Sequence, residues 1–242
     1  MKPFIVCHMM ASLDGRIDCD MLEKYPGGDC YYDTLDSYKC QAFIEGRVSR
    51  AKHTALPEKF ESSDKTPCGF SVHCAVQSDA YSVSIDTHGT LMWPDCKIDE
   101  KPLLCIVSED APVAYLEYLK KFGASYIAVG KGRIDLPRAM DILNTEFGIE
   151  RVALVGGGNI NGAFLDLGLI DEISMVYGPI IDARKGMAAA FDGLPAGTKP
   201  RLFVRKDLKA FDDGCVWITY TPAKHLFRNR IPGDRDPSDP QL

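Results

Sequence analysis

Between residues 103 and 177 short apolar runs alternate with helical patterns, and no other feature narrows the possible folds of this chain so far. Four runs rich in β-branched and aliphatic residues, at 103–107, 126–129, 152–155 and 173–177, are separated by three stretches with helical period. In PVAYLEYLKKFG an apolar stripe at Val113, Leu116 and Leu119 follows Pro112 in the first turn and stops at Gly123. DLPRAMDILNTEFG places Asp135 at the N-cap, Met140, Leu143 and Phe147 on one face, and Gly148 at the stop. NINGAFLDLG is a third helix, capped by Asn159 and closed by Gly168. The order β-α-β-α-β-α-β with such short connections is satisfied by right-handed crossovers onto a mostly parallel sheet, so the chain predicts an α/β fold.

Five further runs, at 4–9, 42–44, 81–85, 202–204 and 216–220, raise the expected count to nine strands in one dominant sheet. The last two are joined by FDDGC, which is tight-turn chemistry, and predict a C-terminal antiparallel hairpin. At 242 residues, 45% hydrophobic and 26% charged, the chain has the length and composition of one large globular domain. That domain is expected over 1–222, with a polar, Pro-rich tail over 223–242.

A net charge of −6 argues against a nucleic-acid or anionic-membrane surface but leaves room for a local basic pocket that takes one small anion. No apolar run approaches the roughly 18 to 20 residues that span a bilayer, and MKPFIVCHMMASLDG turns polar too soon for a secretory signal, so a soluble cytoplasmic protein is expected. The nine cysteines, at 7, 19, 30, 40, 68, 74, 96, 105 and 215, form no Cys-x-x-Cys pair; free structural thiols and no metal site are expected.

The stretch RVALVGGGNINGAF sets three glycines, Gly156, Gly157 and Gly158, between a strand and a helix. In α/β sheets that is the place where backbone N–H groups and the positive end of a helix meet an anionic ligand, and a missing Cβ lets a phosphate come close. A plain tight turn accounts for the same residues. The Rossmann fingerprint does not fit, because its third glycine would fall on Asn161.

Three stretches in order, MMASLDGRID at 9–18, AFIEGRVS at 42–49 and LVGGGNINGAFLDLGLIDEISMVYGPIID late in the chain, resemble the reductase domain of riboflavin biosynthesis over about residues 3–220. The resemblance implies a dihydrofolate-reductase-like, three-layer α/β/α fold with a mostly parallel mixed sheet of eight to nine strands. It also implies an NADPH-dependent homodimeric enzyme similar to 5-amino-6-(5-phosphoribosylamino)uracil reductase, which passes a hydride from NADPH to the ribosyl carbon. Carried onto this chain, the cofactor contacts fall on Gly46, Arg47, Ser49, Gly156, Gly157, Gly158, Asn159, Ile160 and Asn161, with Ser108 at a strand end facing the cofactor. Arg47 matches the 2′-phosphate by bidentate chemistry.

The departures concern the substrate. Gly156 stands where the family keeps a glutamate that contacts substrate, and His53 stands where an acid is expected. The arginine that follows in the family has no counterpart, and Lys52 or Lys59 matches it only as a point charge. Asp14, Glu45 and His53 are the catalytic candidates, Asp14 reading equally as a turn former and Glu45 as a charge at odds with its apolar strand. Tyr31 and Tyr32 offer rings for stacking, and Trp93 reads as packing. These departures keep open a same-fold NADPH reductase for a pterin or another carbonyl or imine, or an NADPH-binding protein without catalysis.

Overall fold

Strands buried on both faces read as unbroken apolar runs, and such strands occupy the middle of the sheet. The computed structural model describes residues 1–17 and 28–223. Its elements are β1 (Phe4–Ala11), α1 (Gly28–Asp36), β2 (Ala42–Gly46), α2 (Arg47–His53), β3 (Ser71–His73), β4 (Tyr81–Ile85), β5 (Lys97–Ile98), β6 (Lys101–Val107), α3 (Val113–Phe122), β7 (Ser125–Ala128), α4 (Leu136–Phe147), β8 (Arg151–Leu154), α5 (Gly158–Asp166), β9 (Glu172–Tyr177), β10 (Phe203–Ala210) and β11 (Val216–Pro222).

Eleven strands among the described residues make one mixed sheet in the order β10-β11-β9-β1-β8-β2-β4-β6-β7-β3, with β5 on β6. From β9 through β7 every neighbour is parallel, whereas β3, β5, β10 and β11 pair antiparallel at the edges. The hairpin of β10 and β11 closes at Gly214, whose φ of 89° suits a turn glycine. The two strands beyond the expected nine, β3 and β5, are three and two residues long, too short to show a period. The expected tail lies, from residue 224 on, outside the described residues. No helix among those described is long and apolar enough to cross a membrane.

Alternating side chains make three layers. On β1, Ile5, Cys7, Met9 and Ala11 join Met140 and Leu143 of α4 and Phe164 of α5. Val6 turns to the other face, against Leu35 of α1 and Tyr38. On β6, Leu104 and Ile106 face the first layer, while Leu103, Cys105 and Val107 pack on Tyr115, Leu116 and Leu119 of α3. The helix signals behave as their chemistry dictates at α3 and α4: Gly123 and Gly148 adopt left-handed φ, and the Asp135 carboxylate accepts from Arg138 N–H at 3.1 Å. Asn159 does not cap α5; the N-cap is Gly157, and the helix begins at Gly158 with no side-chain cap. The reason lies in packing, because α5 must lie directly on the segment around Ala189 and Asp192. A Cβ on Gly158 would sit 2.3 Å from the Ala189 carbonyl oxygen, and one on Gly162 would sit 2.1 Å from that of Asp192.

The face covered by α1 holds a buried polar chain. Trp217 Nε1 donates to Ser174 Oγ at 2.8 Å, Ser174 lies 2.8 Å from His8 Nδ1, and His8 Nε2 lies 3.0 Å from the Tyr31 carbonyl. Burial disfavours the charged ring and lowers the His8 pKa to about 4.

Two outcomes follow from this packing. Gly158→Ala and Gly162→Ala each lower stability in urea unfolding by about 1–3 kcal/mol. Gly197→Ala, where a Cβ meets nothing within 4 Å, changes it by less than about 0.5 kcal/mol. Because folded His8 is neutral where an unfolded histidine is charged, its contribution is full above a pH of about 6.5. It drains as the pH falls toward about 4, and a pH series of unfolding midpoints shows a slope there that His8→Gln removes.

Candidate functional site

Parallel strands deliver their following loops and helix starts to one end of the sheet. Here the carboxyl ends of β1, β2, β4 and β8 frame a cleft of about 910 Å³. Two helices begin at its floor. Gly46 is the N-cap of α2 and Gly157 that of α5, and neither helix start is capped by a side chain. Each first turn therefore presents backbone N–H donors and the positive end of its dipole to the cleft.

The two turns touch. Gly46 N–H donates to the Gly156 carbonyl at 2.9 Å, a Cβ on Gly46 would meet Ile160 at 3.3 Å, and one on Gly157 would meet Ser49 Oγ at 3.1 Å. Gly156 has φ of 126°, a conformation that side-chain-bearing residues rarely adopt, and the Gly156–Gly157 peptide is cis. The three glycines thus serve separate ends: Gly156 for its backbone conformation, Gly157 for the approach of Ser49, and Gly158 for the seat of α5.

Charge in the cleft opposes that of the chain. Arg16, Arg47, Lys52, His53 and His88 line it, with Glu45 and Asp192 as its acids. Glu45 Oε1 lies 3.2 Å from Arg50 Nη1, and the Arg50 guanidinium, 1% exposed, also donates from Nη2 to Ser82 Oγ at 2.8 Å and the Val83 carbonyl at 3.3 Å. Burial lowers the Arg50 pKa and the Glu45 carboxylate opposes that shift, so the pair is one unit in which each charge justifies the other.

Of the thirteen catalytic and cofactor-binding candidates read from the sequence, Glu45, Gly46, Arg47, Ser49, His53, Gly156, Gly157, Gly158, Asn159 and Ile160 line the cleft. Three do not. Asp14 accepts from Ser12 Oγ at 2.6 Å, Asp182 N–H at 3.0 Å and Ala183 N–H at 3.0 Å, which hold its pKa down to about 2. Its carboxylate is a clasp between two loops and carries no proton to donate near neutrality. Ser108 is buried and donates to the Thr87 carbonyl at 2.8 Å, and Asn161 is buried and donates to the Ala190 carbonyl at 2.7 Å. Tyr31 packs against His8 with ring centres 4.6 Å apart and planes tilted by 32°, and Trp93 is buried in the α3 layer.

Two arginines outside the sequence candidates belong to this region. Arg16, two positions after Asp14, lines the cleft and donates from Nη1 to the Met187 carbonyl at 2.7 Å. SLDGR carried that signal. Arg50 sat in the helix that follows β2 and offered none, since nothing in sequence tells a buried arginine from a surface one.

The chain is similar to known proteins in sequence and in fold. A stretch of 95 residues is 35% identical to the 2,5-diamino-6-ribosylamino-4(3H)-pyrimidinone 5′-phosphate reductase of Methanothermobacter thermautotrophicus, covering 39% of this chain and 43% of that relative. The protein of the same name from Archaeoglobus fulgidus is 25% identical over 209 residues, 80% of this chain and 88% of the relative. Among solved structures, a pyrimidine reductase-like protein from Corynebacterium diphtheriae superposes with a TM-score of 0.68 at 15% identity, covering 92% of this chain and 93% of the other. The riboflavin biosynthesis reductase of Saccharomyces cerevisiae gives 0.61 at 15%, covering 92% and 90%. The three-layer fold is therefore that of the dihydrofolate-reductase-like reductases. The RibD C-terminal domain model matches residues 3–195, a span that contains every residue lining the cleft, and the chain belongs to that family.

Proposed function

We propose that this chain is an NADPH-dependent reductase of riboflavin biosynthesis that reduces the ribosyl carbon of a phosphoribosylamino-pyrimidine and so opens the sugar. The observation behind this reading is the meeting, in one cleft, of two uncapped helix starts with Arg16, Arg47 and Lys52 in a chain of net charge −6. A dinucleotide fits that donor set: N–H groups of Gly157, Gly158 and Asn159 suit a pyrophosphate and the Arg47 guanidinium a 2′-phosphate. When bound, the cofactor supplies the hydride.

The protein's share is orientation and proton handling. Glu45, held by Arg50, presents a fixed acceptor from the end of β2, next to the Gly46 that bonds Gly156, where the family's substrate glutamate is missing. An anionic acceptor suits exocyclic amino groups of the pyrimidine, and the relatives named for a 2,5-diamino-pyrimidinone support that ring over the uracil. Arg16 and Lys52 suit the substrate phosphate, and His53 is the side chain assigned to proton donation. The exchange of glutamate for Gly156 also motivates a second reading, a same-fold reductase for another carbonyl or imine compound.

We further propose a cytoplasmic homodimer, since β10 closes one edge of the sheet with Leu208 half exposed.

Turnover is measured as NADPH oxidation with the diamino-pyrimidinone and the uracil phosphates in parallel. The first is expected to be the faster. Turnover of neither, in a protein that NADPH stabilises against heat, moves the assignment to the second reading, and failure of NADPH to bind overturns both. Arg47→Ala raises KM for NADPH about tenfold and leaves KM for NADH nearly unchanged. Glu45→Gln lowers kcat with the pyrimidine by about 100-fold while NADPH affinity holds. Light scattering gives a dimer mass that Leu208→Glu reduces to that of the monomer.

A further inference from the structure

Cys30, in the first turn of α1, and Cys215, one residue before β11, come from opposite ends of the sequence and meet under the layer that α1 forms. Both are buried, and the Cys215 thiol is hydrogen-bonded to Cys30 and to the Asp213 carboxylate. One ligand atom from each of Cys30, Asp213 and Cys215 lies within 4.8 Å of the others, the one such convergence of three metal-ligating side chains among the described residues. None of the three lines the cleft.

The chemistry of the set is that of zinc. Thiolate sulfurs about 2.3 Å from Zn²⁺ and a carboxylate oxygen at about 2.0–2.2 Å stand roughly 3.5–4 Å apart around a tetrahedral ion. A triad already within 4.8 Å closes onto such an ion by small side-chain rotations. Asp213 is exposed, which gives the ion an entry path, and its Oδ1 accepts from Cys215 N–H at 2.9 Å, which orients the carboxylate as an outer-shell hydrogen bond does at established sites. The turn is rigid for its own reasons: Phe211 N–H donates to the Cys215 carbonyl and Gly214 N–H to that of Phe211.

We propose that Cys30, Asp213 and Cys215 bind one Zn²⁺ and thereby tie the first turn of α1 to the β10–β11 turn, with water in the fourth position. Loading releases the two thiol protons to solvent and changes no oxidation state.

The full-length protein, reduced and stripped with chelator, is titrated with Zn²⁺ and separately with Co²⁺. One equivalent binds, cobalt gives a thiolate charge-transfer band in the near ultraviolet, and zinc at one hundred times Kd raises the unfolding midpoint by roughly 5 °C or more. Cys30→Ser and Cys215→Ser abolish the cobalt band. Asp213→Asn, at an exposed position that leaves folding undisturbed, weakens binding at least about tenfold, and Cys96→Ser has no effect. Four results would each overturn the proposal: no binding at micromolar zinc, a cobalt spectrum without the thiolate band, affinity unchanged in Asp213→Asn, or a Cys30–Cys215 disulfide that forms in preference to the zinc-loaded state.

Discussion

The cleft exists because two glycine turns can touch. The 2.9 Å hydrogen bond from Gly46 N–H to the Gly156 carbonyl joins the end of β2 to the end of β8, and it brings two helix starts side by side. Side chains at these positions would hold the turns apart: Gly46 faces Ile160, Gly157 faces Ser49, and Gly158 has carbonyl oxygen where a Cβ would be. Removing volume at a turn is usually about backbone freedom. Here three of the four glycines concerned, Gly46, Gly157 and Gly158, are needed for contact distance, and Gly156 alone for its dihedral angle.

Electrostatics completes what the backbone begins. Uncapped helix starts supply partial positive charge, and Arg16, which also faces the Asp14 carboxylate at 3.9 Å, Arg47 and Lys52 add basic side chains to the lining. Such a cavity offers an anion a favourable potential in a protein that is acidic overall. Arg50 differs in kind from the others. Buried and bonded to Glu45, Ser82 and Val83, it is a scaffold for one carboxylate, and it turns an apparent flaw in an apolar strand into a fixed acceptor.

Legibility in the sequence tracked burial. The parallel core strands and α3 and α4, with their stripes, caps and glycine stops, stood out because periodic burial writes periodic sequence. Strand β10 runs through FVRKDLKA, where seven of eight residues are exposed, so only its first apolar residues marked it. Helix α2 is seven residues long and carries too few turns for a stripe. Within SLDGR residue type does not tell position: three donors hold the Asp14 carboxylate in a loop, and Arg16, whose Nε lies 3.9 Å from it, lines the cleft. Asn159 and Asn161 are two apart on α5, and helical geometry sends one to the cleft and the other into the interior.

The amino-acid sequence by itself determined the α/β layering, the order of the central units and the motif set that marks the family, because each depends on local pattern and spacing. Tertiary structure decided which residues share a space. Glu45 with Arg50 and Ser82, Arg16 with Met187, and Cys30 with Asp213 and Cys215 are joined by strand order and loop closure. Proximity of that kind is a property of how the sheet is assembled, and no period or spacing along the chain records it.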